Sequence, residues 1–142
     1  YDTDPILLGD WKNRLTFIAD DEDGHTHLND ADAIANKTWL ANPVKNLDKI
    51  YLDAYPQVST HGGDRIPGVT EAIHNNMFKG NFTVNYMGHG GEDGLAQERI
   101  LRIPHIQSWQ NPDKLPLFVT ATCSFAPFDD PSINYWCFVG HN

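Results

Sequence analysis

The sequence predicts an α/β fold built on a mainly parallel β-sheet. Short apolar runs rich in β-branched residues alternate along the chain with segments of helical periodicity, a pattern typical of parallel strands joined by crossover helices. The first of these runs is nearly continuous, as expected for a strand that is covered on both faces. The chain has 142 residues, which suffice for one domain with a single ordinary core.

The first predicted unit consists of a strand, a loop and a helix. The strand spans Arg14–Ala19, and its apolar run ends at four consecutive acidic residues. The helix spans residues 29–41, because apolar residues recur there near helical spacing and Asn29 or Asp30 can cap its start. The Asn-Pro dipeptide at positions 42 and 43 ends the helix.

The second predicted unit repeats this order. Its strand spans residues 47–54, and a polar, glycine-rich loop over residues 57–65 follows. Pro67 lies near the start of the next helix and Gly80 just after its end, which is the usual placement of these two residue types. The predicted buried stripe of this helix is Val69, Ile73 and Met77.

Two further strands complete the predicted sheet. They span residues 82–87 and 117–122, with a short helical or irregular segment over 104–110 between them. Parallel strands with right-handed crossovers are the expected result. After Phe125 the pattern becomes a turn-rich loop and a short aromatic segment, so we predict a domain that is incomplete at its C-terminus.

Composition argues against several classes of protein. The chain carries 10 basic and 19 acidic residues, a net charge of −9, whereas a nucleic-acid binder needs a basic face. We therefore expect no nucleic-acid partner. No apolar stretch approaches the roughly 20 residues of a membrane-spanning helix. The two cysteines, Cys123 and Cys137, are too few for the disulfide framework of a small secreted domain.

A histidine and a cysteine follow the last two predicted strands. His89, flanked by Gly88 and Gly90, comes just after the third strand, and Cys123 follows the fourth. If these strands are adjacent and parallel, both side chains emerge at the edge where open α/β sheets bind ligands. A thiol beside an imidazole is the minimum apparatus of cysteine nucleophilic catalysis. The flanking glycines let backbone N–H groups approach a ligand, and such groups can stabilise an oxyanion.

The segments around this pair resemble the gingipain-type cysteine peptidases. The likeness rests on residues 85–99 and 115–132, each of which carries one of the two motifs, and it extends from about Arg14. It implies a caspase-like three-layer sandwich, in which a His-Gly motif follows the third core strand and the nucleophilic cysteine follows the fourth. Within the family, the sequence is most similar to the sortase of the type IX secretion system.

The resemblance implies a role for each residue. Cys123 would attack the scissile carbonyl and form a thioester, and His89 would act as general acid and base. The backbone N–H of Gly90, with that of Cys123, would hold the oxyanion. The implied substrate is the C-terminal signal of secreted cargo, with a lipopolysaccharide amine as acyl acceptor. Other secretion-system components are possible partners, and the implied location is the cell surface or outer membrane.

The catalytic domain is predicted to be partial. Family members continue well beyond the nucleophile, whereas this chain ends at residue 142. We therefore divide it into a lead-in over residues 1–13, a partial caspase-like catalytic domain over 14–132 and an atypical tail over 133–142. An intact pair without a complete substrate pocket could be inactive. The alternative to a peptidase is thus a truncated caspase-like domain with a structural or interaction role.

Acidic residues near these motifs suggest two further roles. Glu92 and Asp93 follow His89 and could orient its ring or raise its pKa as nearby anions, although a solvated loop explains them equally well. The predicted chemistry requires no cofactor. The resemblance implies structural calcium, a cation that prefers clustered oxygen ligands. The calcium candidates are Asp20, Asp21, Glu22 and Asp23.

A metal site near the acidic run has only weak support in the sequence. The run lacks the spacing of an EF-hand loop, and a solvated acidic loop is the simpler interpretation. His25 and His27 beside it suggest a transition-metal site, but no matching ligand set appears elsewhere in the sequence. We interpret both histidines as loop and helix-start residues.

Two other functions are disfavoured by missing motifs. A serine esterase of the α/β-hydrolase type needs a Gly-x-Ser-x-Gly nucleophile turn, which the sequence lacks. A dinucleotide-binding module needs a glycine-rich turn after the first strand. The chain instead has its acidic run there, which would repel a pyrophosphate.

Overall fold

The structure, a computed structural model, describes residues 8–125 of the chain. Residues 1–7 and 126–142 lie outside this part, and with them Cys137, most of the lead-in and the tail predicted over 133–142. The helices are α1 (Thr26–Ala41), α2 (Pro67–Lys79) and α3 (Ile103–Gln107). The strands are β1 (Arg14–Ala19), β2 (Asn46–Tyr51), β3 (Val58–Thr60), β4 (Gly63–Arg65), β5 (Thr83–Met87), β6 (Gly90–Gly91), β7 (Gly94–Leu95) and β8 (Leu117–Ala121).

Four of these strands form one parallel sheet in the order β2-β1-β5-β8. β1 pairs with both β2 and β5, and β5 pairs with β8. The sheet therefore extends from β1 in one direction with β2 and in the other with β5. Open α/β sheets bind ligands at the carboxyl ends of the strands where the order reverses, which here are β1 and β5. The predicted α/β fold with a mainly parallel sheet is confirmed.

Helices cover both faces of this sheet. α1 contacts β1, β5 and β2, and α2 contacts β2. Ile18 of β1 belongs to the same apolar cluster as the stripe of α2. Phe17 is also buried and points to the opposite face, which α1 covers, because successive side chains of a strand alternate. No helix of residues 8–125 has the length and apolarity needed to cross a bilayer.

The structure confirms the predicted bounds of helix α2 and its predicted buried stripe. It begins at Pro67, and Gly80 lies directly after its last residue. The stripe that it packs into the core is at most 1% exposed and consists of Val69, Ile73 and Met77.

Helix α1 begins three residues before its predicted start, with His25 as the N-cap residue. Asp23, Gly24 and His25 all have left-handed backbone conformations, with φ between 55° and 68°. The Thr26 hydroxyl donates a hydrogen bond to the Asp23 carbonyl at 2.7 Å. This left-handed turn starts the helix early, so the predicted caps lie inside it. They are Asn29 and Asp30.

The remaining differences from the predicted elements are short. The strand predicted over residues 47–54 ends at Tyr51 and continues as a 3-10 turn over Leu52–Ala54. β3 and β4 pair as a hairpin inside the predicted loop, and β6 pairs with β7 in a second hairpin. Strands of two or three residues are too short to show the alternation on which a strand prediction depends.

Replacing Ile73 by alanine is expected to lower the free energy of unfolding by about 2–5 kcal/mol, because buried methyl groups are lost and a cavity remains. Ile34 of α1 is 41% exposed, so Ile34→Ala is the matched control. We expect this control to change the free energy of unfolding by about 0.5 kcal/mol or less. Denaturant unfolding followed by circular dichroism measures both values, and equal losses would contradict the assigned core.

Candidate active site

Three strand ends meet where the strand order reverses. Asp20 directly follows β1, while His89 and Cys123 each come two residues after β5 and β8. The register sets His89 and Cys123 level with each other, because Met87 of β5 pairs with Ala121 of β8. The paired strands thus bring the predicted histidine and cysteine to the same edge of the sheet.

The turn after β5 lies against the backbone of the cysteine. A Cβ atom added to Gly90 would lie 3.2 Å from the Cys123 carbonyl oxygen and would clash with the Thr122 hydroxyl. A glycine at this position therefore lets the turn approach the nucleophile closely. Cys123 itself is exposed and is a free thiol. The roles of the Gly90 and Cys123 N–H groups as oxyanion donors stay predictions.

A fully buried carboxylate holds His89. Asp20 Oδ2 accepts a hydrogen bond from the His89 backbone N–H at 2.7 Å and lies 3.0 Å from the ring nitrogen Nδ1. Asp20 Oδ1 accepts a hydrogen bond from the Asp21 N–H at 2.8 Å. The ring contact makes Nδ1 the protonated nitrogen and leaves Nε2 for proton exchange. The same hydrogen bond raises the pKa of His89, against a smaller opposing effect of desolvation.

The carboxylate that orients the histidine is therefore Asp20, not Glu92 or Asp93 as predicted. Among residues 8–125, the other carboxylates within ion-pair distance of the His89 ring are those of Glu22 and Asp23, at 3.6 Å and 3.4 Å. Asp93 instead pairs with Arg99 at 3.5 Å. Asp20 is not among the predicted orienting residues because it is the first of four consecutive acidic residues, which together resemble a solvated loop. The available signal was its position directly after a buried strand.

Two residues fix the turn that carries His89. Gly88 has a φ of 154°, and a Cβ atom at this position would clash with the Asp20 side chain. The buried hydroxyl of Tyr86 donates a hydrogen bond to the His89 carbonyl at 2.5 Å. Burial raises the pKa of Tyr86, and the Asp20 charge adds to this effect, so the hydroxyl keeps its proton. Gly88 thus allows the close approach of Asp20, and Tyr86 anchors the backbone beyond it.

The structure gives the predicted calcium candidates different neighbours. Glu22 and Asp23 lie beside His89. Asp20, which also contacts His89, meets Asp21 and Glu98, with one ligand atom from each of these three residues within 4.8 Å of the others. One oxygen of Asp21 and one of Glu98 are buried without a hydrogen-bond partner. Burial raises the pKa of both groups, and the neighbouring carboxylates add to this effect. A structural calcium ion therefore stays a prediction, and Glu98 is a ligand candidate that the sequence analysis missed.

A groove of about 710 Å³ opens beside the histidine. This volume is in the range of small-molecule and substrate clefts. Ser124, the neighbour of the predicted nucleophile, lines it together with His89 and Gly90. Its wall also carries the charged side chains of Glu92, Asp93 and Arg99 among uncharged residues. The groove provides room for a ligand beside His89, and Ser124 is the chain neighbour of Cys123.

Comparisons with known proteins agree with this geometry. The model of peptidase family C25 matches residues 1–139. A solved structure of the Arg specific cysteine proteinase gingipain R is similar, with a TM-score of 0.56 and 22% sequence identity over 78% of this chain. This likeness bears out the predicted caspase-like fold, and the chain covers 24% of gingipain R. No curated protein sequence matches. The matched residues, which include His89 and Cys123, show that this chain belongs to peptidase family C25, the family of the gingipain-type cysteine peptidases.

Proposed function

We propose that this chain carries the catalytic residues of a cysteine endopeptidase. The observation that carries the proposal is the register of β5 and β8, which brings His89 and Cys123 to one sheet edge. The buried Asp20 carboxylate on Nδ1 of the imidazole supports it, because an oriented imidazole with a free Nε2 is what a general base needs. Membership of a family of cysteine peptidases supports the same chemistry.

In the proposed reaction, Nε2 of His89 takes the thiol proton of Cys123. The thiolate attacks the carbonyl carbon of the scissile bond, and the N–H groups of Gly90 and Cys123 stabilise the oxyanion. The C–N bond breaks as the imidazolium gives its proton to the leaving amine, and a thioester remains on Cys123. Water or an amine then attacks the thioester and gives a proton to His89. The C–S bond breaks, and the imidazolium returns this proton to the Cys123 thiolate. Asp20 stabilises the imidazolium, in line with the raised pKa of His89.

The finer proposal is a sortase-like transpeptidation, and it rests on the sequence resemblance. The substrate is then the C-terminal signal of type IX secretion cargo, and the acyl acceptor is an amine of lipopolysaccharide. The protein would act at the cell surface or outer membrane, together with other secretion-system components. The two fates of the thioester differ in product mass, because an amine acceptor stays covalently attached whereas water leaves a free carboxylate.

Alkylation of Cys123 as a function of pH tests the catalytic pair. In the wild-type chain we expect iodoacetamide to alkylate Cys123 faster than Cys137 at neutral pH, because a neighbouring imidazolium favours the reactive thiolate. His89→Ala should remove this advantage, because no imidazolium is left to stabilise the thiolate. Mass spectrometry of peptides follows Cys123, with Cys137 of the same chain as the reference thiol.

One outcome would favour the structural or interaction role instead. If Cys123 shows the same pH profile in the wild-type chain and in His89→Ala, the two side chains do not act together. The chain would then be a non-catalytic caspase-like module.

A further inference from the structure

Asp23, His27 and His89 form a cluster of metal-ligand side chains, of which the proposed peptidase reaction uses only His89. Asp23 Oδ2 lies 3.4 Å from His27 Nε2 and 3.4 Å from His89 Nε2. The two imidazole rings meet edge to face, with their centroids 5.1 Å apart. The sequence analysis found no ligand partner for His27 because His89 lies far along the chain and only the fold brings them together.

The spacing of these atoms fits a tetrahedral zinc ion. With metal–ligand distances of about 2.1 Å, neighbouring ligand atoms of a tetrahedral site are about 3.4 Å apart. Both distances from the Asp23 oxygen already have this length, and all three ligand atoms lie within 4.8 Å of one another. Two imidazole nitrogens and one carboxylate suit zinc better than calcium and leave a fourth position open.

The contacts of the two histidine rings also suit a metal. Nε2 of His27 is buried and has no hydrogen-bond partner, so this nitrogen is available as a ligand. Nδ1 of His89 faces the Asp20 carboxylate at 3.0 Å, which directs the lone pair of this ring to Nε2. A metal-binding histidine usually donates its other ring N–H to a carboxylate in this way.

We propose that Asp23, His27 and His89 form a zinc site that inhibits the peptidase. Zinc would occupy Nε2 of His89, the nitrogen that takes the proton of Cys123 in the proposed reaction. Binding excludes proton transfer at that atom, and removal of the metal restores it. The inhibitory consequence rests on the proposed function, whereas metal binding by these three side chains does not.

Competition between the protein and a chromophoric chelator for Zn²⁺ tests the site in the full 142-residue chain. We expect one Zn²⁺ per chain, no displacement by excess Ca²⁺, and an affinity at least about 100-fold weaker in both His27→Ala and His27→Gln. Loss of an outer-shell partner alone costs 10- to 100-fold, so loss of a ligand should cost no less. Circular dichroism establishes that each variant is folded.

Three control variants separate this site from other metal-binding groups. Cys123→Ser should keep the wild-type affinity, because the site does not include the thiol. His25→Ala should keep it as well, since His25 pairs with Asp53 at 3.1 Å outside the cluster. His74→Ala should also keep the wild-type affinity. His74 belongs to a second histidine pair outside the cluster, in which the rings of His74 and His105 are 5.5 Å apart.

The results that would overturn the zinc site differ from those that would overturn the proposed function. Absence of Zn²⁺ binding, wild-type affinity in the folded His27 variants, or loss of binding in Cys123→Ser or His74→Ala would overturn the zinc site. Zn²⁺ binding by the wild-type chain that is lost in the His27 variants and kept in the control variants supports the zinc site, even if no peptidase activity is found. Inhibition is then read separately, as slower alkylation of Cys123 in the presence of Zn²⁺ and its recovery with the chelator.

Discussion

Replacing Cys123 by alanine is expected to abolish peptide cleavage and thioester formation while the fold is retained. The nucleophile of a catalytic pair cannot be replaced by its neighbours, and we expect a loss of at least about 10⁴-fold in kcat. Cys123 is exposed after the end of β8, so removing its sulfur atom should cost little stability. Mass spectrometry of peptides that carry candidate C-terminal signals measures cleavage, and intact-mass analysis measures the thioester.

The neighbouring hydroxyl provides the control for this variant. Ser124 is exposed and lines the same groove, so Ser124→Ala should keep most of the activity. If Ser124→Ala abolished cleavage and Cys123→Ala did not, the nucleophile would be misassigned.

Replacing Asp20 by asparagine is expected to lower kcat by about 10²- to 10⁴-fold, the range that a positioned general acid–base contributes. Asparagine keeps the size of the side chain but removes the charge that faces Nδ1 of His89 at 3.0 Å. His89 must be neutral to take the thiol proton of Cys123, so activity rises as the pH rises through its pKa. Because Asp20 raises this pKa, the acidic limb of the kcat/KM profile should move to lower pH in Asp20→Asn.

The same contact predicts how stability depends on pH. The pKa of His89 is higher in the folded chain than in the unfolded chain. Its contribution to stability is therefore complete below the ordinary histidine pKa of about 6.5, and it is lost as the pH rises through the raised value. Thermal unfolding at several pH values should show a smaller dependence in Asp20→Asn than in the wild type, because Asp23 and Glu22 still raise the pKa of His89 in the variant.

Glu22→Gln is the matched control for Asp20→Asn. The Glu22 carboxylate is partly exposed and lies 3.6 Å from Nδ1, beyond hydrogen-bond length, so both effects should be much smaller. Identical pH–rate profiles for Asp20→Asn and the wild type would show that Asp20 does not set the pKa of His89.

The sequence predicted those parts of the fold whose signals are local and strong. β1 matches residue for residue, because its apolar run is bounded by polar residues on both sides. Helix α2 matches because proline and glycine mark its ends. His89 and Cys123 could be placed by the general rule that strand ends carry the chemistry of parallel sheets.

The site partners could not be predicted in the same way. Asp20 and His89 are 69 positions apart, and the contact exists only because β1 and β5 pair. Four adjacent carboxylates look equivalent in the sequence, whereas the fold buries Asp20 and leaves Asp23 exposed. The left-handed turn before α1 then brings Asp23 next to His27. Sequence periodicity cannot predict this geometry.

The order of the strands places Cys123 after an outer strand, and this affects how the residues of the site can separate. Within residues 8–125, β8 is an outermost strand of the sheet and pairs with β5 alone, whereas Asp20 and His89 belong to the ends of two inner strands. Outer elements with few partners open at a lower free energy than the centre of a domain. In the proposed reaction, local opening of β8 would therefore withdraw Cys123 while the contact between Asp20 and His89 is kept.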